Sequence, residues 1–249
     1  MTASLHDLAA AESLLVISDF DGTIAGFSTD AYDVPVNQEA VNALQELAAL
    51  PNTHVAVLSG RHLAGLHQVC HLQPPVMFSG SHGAESDVDG VVLTEEMAAR
   101  LSDIEDRLAP LIAAQPLAFV EAKPFQRVLH VAKLAASDEA AAKQLLARAV
   151  ALEHPGMSMI VGKNIVEFSV ADVNKGTWIA ATIKRLQPTR ALFLGDDTTD
   201  EDGFLALRPQ DLGVKVGEGE TAATMRIADT VAVGNLFSEL LEQRRLSQD

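Results

Sequence analysis

Short apolar runs, each closed by polar turn residues, alternate in the first part of the chain with segments whose apolar positions recur every three or four residues. Leu14-Leu15-Val16-Ile17 is uninterrupted, as expected of a strand buried on both faces of a parallel sheet, and it stops at Ser18-Asp19-Phe20-Asp21-Gly22-Thr23. Asn37 can cap a helix over 38–50 with Val41, Leu44 and Leu47 on one face. A second strand, 54–58, ends at Ser59-Gly60-Arg61, and a helix follows over 63–67. A third strand, 75–78, ends at Ser79-Gly80-Ser81-His82-Gly83-Ala84-Glu85. This alternation predicts an α/β fold with a doubly wound parallel sheet.

The period then changes. Val88 to Val91 reads as a hairpin turn, and 95–113 as a helix carrying Met97, Leu101, Ile104, Leu108 and Leu111 in register. Strands are predicted at 117–121 and 128–131, a helix over 137–152 capped by Ser137 and Asp138, and two more strands at 157–161 and 165–168 around a tight Gly162-Lys163-Asn164 turn. Helix, strand, strand, taken twice, builds a small antiparallel sheet with helices on one face. An α+β domain at 86–171 is therefore predicted as an insertion in a core formed by 1–85 and 172–249. The first pattern resumes with a helix over 175–185 and a strand, 190–194, that ends at Gly195-Asp196-Asp197-Thr198-Thr199-Asp200-Glu201-Asp202. Another strand at 212–216 and a terminal helix over 236–246 complete the reading.

Composition narrows the classes of function. With 48% hydrophobic residues among 249, the chain can bury a substantial core. No apolar run reaches the length of a membrane span and no secretory leader is visible, so a cytoplasmic protein is expected. A monomer is the expected state, although no sequence feature sets it. The single cysteine, Cys70, excludes an intramolecular disulfide and a cysteine-rich zinc site. A net charge of -16 disfavours nucleic acid and anionic membrane as partners. A small phosphorylated metabolite remains compatible if cations, a metal and backbone amides are concentrated in one pocket.

Four strand ends deliver polar groups to one edge of the predicted sheet, where ligands of open α/β sheets bind. Residues two apart in extended backbone point the same way, so Asp19 and Asp21 would share one mouth. Taken singly, these segments also read as an Asp-rich turn, a solvated acidic loop and ordinary helix starts. Taken together, Asp19-Phe20-Asp21-Gly22-Thr23, Ser59, Lys175-Gly176 and the acidic 195–202 segment resemble the haloacid dehalogenase superfamily of phosphotransferases, in that order. The resemblance implies that Asp19 is the nucleophile, forming an aspartyl phosphate, and that Asp21 is the general acid and base, with a proton affinity raised by negative neighbours. Ser59, Gly60 and Lys175 would hold the phosphate. Magnesium, which prefers oxygen ligands, would be held by Asp19, the main-chain carbonyl of Asp21 and Asp196, with Asp200 close by through water.

The inserted domain, Gly80-Ser81-His82-Gly83-Ala84-Glu85, Glu121-Ala122-Lys123, Lys163 with Glu167, and Gly195 to Glu201 resemble trehalose-6-phosphate phosphatases, enzymes of trehalose biosynthesis. That resemblance implies a cap closing over a sugar phosphate. Arg61, His82, Glu121, Lys123, Lys163 and Glu167 would then contact the substrate, since sugar hydroxyls both donate and accept. Two positions depart from the family pattern. Where arginines are usual, this chain has Ala132 and Ser169-Val170, with Lys133 or Arg127 as substitutes. A phosphatase for sucrose or glucosylglycerol phosphate, and a noncatalytic sugar-phosphate sensor, are the alternatives. The intact Asp19, Asp21, Lys175 and Asp196 speak against the sensor.

Overall fold

Every residue of the first strand is buried because the strand has parallel neighbours on both sides and helices on both faces. The computed structural model describes residues 4–28 and 30–248 and divides into two compact units, one running to Gly90 and resuming at Val173, the other spanning Val91–Asp172. In chain order the first unit contains α1 (Leu5–Ala9), β1 (Leu14–Ser18), α2 (Gln38–Ala48), β2 (Thr53–Leu58), α3 (Leu63–Val69), β3 (Met77–Gly80) and β4 (Glu85–Ser86). The second contains α4 (Glu95–Ile112), β5 (Phe119–Ala122), β6 (Gln126–His130), α5 (Ala132–Ser137), α6 (Glu139–Val150), β7 (Ser158–Gly162) and β8 (Ile165–Ser169). The first then resumes with α7 (Lys175–Leu186), β9 (Arg190–Gly195), α8 (Glu201–Leu205), β10 (Leu212–Val216), β11 (Met225–Ile227) and α9 (Thr230–Gln248).

The seven strands of the first unit lie in the order β11-β10-β9-β1-β2-β3-β4, parallel except for β4. Alternation along β1 sends Leu14 and Val16 into a core shared with α1, α2, α3 and α9, and Leu15 and Ile17 into another shared with α7 and α8. Each such side chain contributes about 1.5–3 kcal/mol on burial. The carboxyl end of β1, and with it Asp19, is thereby locked against β2 and β9. Buried Arg244 of α9 fastens the opposite end, donating to Thr53 Oγ1 at 2.7 Å and to the carbonyls of Ala9, Ala11 and Asn52.

The second unit is a four-stranded antiparallel sheet, β5-β6-β8-β7. Val120, Leu129, Val131, Met159, Val166 and Phe168 face its helices and pack with Ile104, Leu108 and Leu145. The opposite face carries the other alternating set.

Several boundaries differ from those the pattern predicts. Glu85–Ser86 pairs with β3, so the compact second unit begins at Val91 instead of 86, and 88–90 forms a turn in which Ser86 Oγ accepts from the amides of Val88 and Asp89. The helix expected over 137–152 is α6, with Asp138 as its cap accepting from the Ala141 amide, whereas Ser137 Oγ instead donates to Leu134 O. The unexpected element is α5, a short helix that precedes it and is separated from it where Asp138 leaves helical geometry (φ -149°, ψ 91°). Helix α9 starts at Thr230, and α1 and β11 are too short to show a period. Among the described residues no helix is long and apolar enough to cross a membrane.

Candidate active site

Asp19 is the first residue beyond β1, and its amide donates to Leu194 O of the neighbouring β9 at 2.9 Å, which fixes where the carboxylate emerges. Lys175 opens α7 behind an Asn174 capping box, so its stem leaves the first turn toward the same strand ends. Its Nζ donates to Asp19 Oδ1 at 2.8 Å and Asp200 Oδ1 at 2.7 Å, with all three side chains buried. Asp200 closes a single 3₁₀ turn (Thr198–Asp200) after β9. Its other oxygen accepts from the amides of Asp196 at 3.0 Å and Asp197 at 2.9 Å, holding the acidic loop folded back on itself.

The electrostatics of this group are those of a site for a cation. One oxygen from each of Asp19, Asp196 and Asp200 lies within 4.8 Å of the others. Burial, and then the neighbouring carboxylates Asp200 and Asp197, push Asp196 up to about 6. Burial also raises the Asp19 carboxyl, against the pull of Lys175 and with the push of Asp200 and Asp196. Lys175 is itself shifted upward: burial opposes its charge, but Asp19 and Asp200 outweigh that. Asp196 Oδ1 is buried and accepts no hydrogen bond among the described residues. An all-oxygen set with an unsatisfied buried lone pair and more negative than positive charge fits a hard divalent cation. Gly22 permits the approach. It sits at φ +80°, and a Cβ there would lie 2.0 Å from Asp196 Oδ2.

One contributor is absent from the residues singled out in the sequence. Lys215, in the buried strand β10, donates through Nζ to the main-chain carbonyls of Asp196 and Val216, so a second buried ammonium steadies the acidic loop. The available signal was a lone lysine in the otherwise apolar run 212–216.

Asp21 lies outside the carboxylate cluster. Arg61 grips it in a two-pronged ion pair, Nε to Oδ2 at 2.7 Å and Nη2 to Oδ1 at 2.6 Å, and also donates to Ala31 O. The negative surroundings expected for Asp21 are therefore replaced by a guanidinium. Arg61, expected to contact substrate, is here engaged with Asp21. Ser59 is buried, its Oγ accepting from the Arg61 amide at 3.1 Å. The 59–61 turn is stitched to the next strand end by His82 N to Ser59 O at 2.9 Å and Ser81 N to Arg61 O at 2.6 Å. Gly60 leaves room for the His82 ring, whose Cε1 would lie 2.5 Å from a Cβ at that position. Ser81 and His82 hold left-handed backbone (φ 50° and 56°), a strained arrangement in which Glu85 accepts from Ser81 Oγ at 2.5 Å and the Leu63 amide at 3.2 Å.

In the second unit, strand register sets Glu121, Val128, Glu167 and Ile160 in one row across the sheet. Lys123 Nζ lies 3.7 Å from Glu167, and His130 Nε2–H donates to Glu121 at 2.9 Å. Lys163 is exposed in the two-residue turn between β7 and β8. Arg127 cannot replace a missing arginine on this face: it points to the helix side, pairing with Glu105 of α4 at 2.6 Å. Burial raises the Glu167 carboxyl despite the opposing pull of Lys123. The folded chain thus holds that proton more tightly than the unfolded chain, and the ionised carboxylate destabilises the fold above its raised pKa. Glu167→Gln is expected to raise the thermal midpoint at neutral pH. The advantage should shrink as pH falls through the raised value and vanish below 4.5, the ordinary glutamate value, in a series of melts.

A doubly wound sheet with an aspartate at its first strand end, a buried lysine and a distal acidic loop defines a haloacid dehalogenase-type phosphotransferase core with an α+β insert. The family model for trehalose-phosphatase matches residues 17–231. The chain belongs to that family. It is 33% identical over 239 residues to a trehalose-6-phosphate phosphatase of Escherichia coli strain K12, covering 91% of this chain and 87% of the relative. It is 32% identical over 244 residues to a trehalose-phosphate phosphatase of Mycobacterium marinum, covering 92% of this chain but only 61% of that longer relative. The C-terminal domain of trehalose-6-phosphate phosphatase from C. albicans superposes with a TM-score of 0.77 at 19% identity, covering 97% of this chain and 98% of the other, a likeness of fold.

Proposed function

We propose that this chain is a magnesium-dependent phosphatase that hydrolyses trehalose 6-phosphate to trehalose and phosphate. The observation that carries the chemistry is Asp19 at the end of β1, ion-paired to buried Lys175 beside Asp196 and Asp200. The substrate follows from family membership.

An oxygen of Asp19 attacks phosphorus while the bond from phosphorus to the sugar oxygen breaks, leaving an aspartyl phosphate. Asp21 gives its proton to the departing sugar oxygen. It then takes a proton from water, whose oxygen attacks phosphorus and breaks the bond to Asp19, releasing phosphate and restoring both acids. For this Asp21 must exchange one of its two Arg61 contacts for the substrate oxygen. Ser59 and the adjoining turn offer hydroxyl and amide donors to the phosphoryl oxygens, and Lys175 neutralises charge on Asp19 and on the group in transfer. A magnesium ion held by Asp19, Asp196 and Asp200 with the Asp21 carbonyl would, when bound, offset the negative charge that otherwise repels the substrate.

Glu121, Lys123, Glu167 and Lys163 are the groups proposed to read the sugar. One observation favours a second reading, a phosphatase for a different glycosyl phosphate: Ala132 and Ser169 stand where the family usually has arginine, and Arg127 is turned away. A substrate panel decides between them. With magnesium, kcat/KM for trehalose 6-phosphate is expected to exceed that for glucose 6-phosphate, sucrose phosphate and glucosylglycerol phosphate by about tenfold or more, and chelation of the metal should abolish turnover of all four. Equal turnover of trehalose 6-phosphate and glucose 6-phosphate would reject the assigned substrate. No turnover of any ester with magnesium present would reject the enzyme.

A further inference from the structure

The polar face of the second unit contains a planar apolar surface that the hydroxyl-binding groups do not account for. Phe119 lies on edge strand β5, directly opposite His130 of β6, and 50% of it is exposed. The two rings are stacked, with centroids 4.7 Å apart and planes within 7° of parallel. His130 is fixed in turn by the hydrogen bond from its Nε2–H to Glu121 at 2.9 Å. Register places Phe119, His130 and Ile165 in a row beside the row that holds Glu121 and Glu167, and places Lys123 on the far side of those acids. The face therefore reads, from one end to the other, aromatic platform, carboxylates, ammonium.

This order matches the surface of a pyranose. Such a ring has a rim of hydroxyls that donate and accept, and a face of C–H groups that is apolar. Carboxylates and an ammonium satisfy the rim, whereas the C–H face needs a flat, polarisable partner, which a half-exposed aromatic ring supplies at little conformational cost. An isolated exposed phenylalanine would need no explanation. A ring stacked parallel on a histidine that is anchored to one of the carboxylates is held in place for such contact.

We propose that Phe119, backed by His130, is the stacking platform for a sugar ring of the substrate and therefore a specificity-determining residue of this chain. The proposal rests on the reading that the substrate is a sugar phosphate. Phe119 touches no reacting atom, so it acts on recognition of the sugar and leaves phosphoryl transfer alone.

The test compares wild type with Phe119→Ala, Phe119→Leu and Phe119→Trp on trehalose 6-phosphate and on p-nitrophenyl phosphate, an ester without a sugar. Phe119→Ala is expected to raise KM for trehalose 6-phosphate about five- to tenfold with kcat nearly unchanged, and to leave kcat/KM for p-nitrophenyl phosphate at the wild-type value. Phe119→Leu, apolar but not flat, should resemble the alanine variant, and Phe119→Trp should resemble wild type. An unchanged KM for trehalose 6-phosphate in Phe119→Ala, or an equal loss on both esters, would overturn the platform while leaving the sugar-phosphate reading intact. A wild-type enzyme that shows no preference for the sugar ester would overturn that reading, and the platform with it.

Discussion

Asp19→Asn is expected to lower kcat on the order of 10⁴-fold or more while the chain remains folded. The amide fills the volume of the carboxylate but has no anionic oxygen to attack phosphorus, and no general acid, base or cation can replace a missing nucleophile in a double displacement. Folding should survive. Burial disfavours the Asp19 carboxylate, a cost the neutral amide does not carry, and Lys175 keeps its 2.7 Å partner in Asp200. Acid-quenched enzyme measured by intact mass should show a phosphoryl adduct in wild type and none in the variant, and thermal melts should remain within a few degrees. Turnover within tenfold of wild type would remove Asp19 from the role assigned to it.

Lys175→Met should damage stability as well as rate. Lys175 is buried between two carboxylates, at 2.8 Å from Asp19 and 2.7 Å from Asp200, so its removal leaves both facing each other without this counter-charge. Breaking a buried pair in this way typically costs about 3–5 kcal/mol, and losing a cation aimed at the group in transfer lowers kcat by about 10²–10³. Urea unfolding and steady-state rates measure the two separately. The double variant Asp19→Asn, Lys175→Met provides the sharper control. One of the two uncompensated charges is then gone, so part of the lost stability should return and the two substitutions should be non-additive. A single Lys175→Met variant as stable as wild type would show that the ammonium does not hold the site together.

Much of the candidate site was legible along the chain because phosphoryl-transfer sites of this fold sit at strand ends, and a strand end is a local feature. Asp19, Ser59 and Asp196 each stand within two residues of the end of an apolar run, and Lys175 follows a capping asparagine. The pairings were less legible. Asp21 and Arg61 are 40 residues apart, and nothing local shows that Arg61 turns toward Asp21. Lys215 looked like part of a strand, and its contact with the Asp196 carbonyl arises only because β10 lies beside β9. In the second unit the periodicity located the strands, but β6 begins at Gln126, two residues before the expected start, and a face is assigned only once register is known.

The chain's own order of residues determined the fold class and which polar residues stand at strand ends, because periodicity, capping and strand-end residues act over a few residues. Tertiary structure alone decided which charges meet and which side chains share a surface. Asp21 is clasped by Arg61, Arg127 faces a helix instead of the face that carries Glu121 and Glu167, and Phe119 stacks on a histidine that Glu121 anchors. Those outcomes depend on strand order, register and the balance between burying a charge and pairing it, and each of these is set by parts of the chain that are distant in sequence.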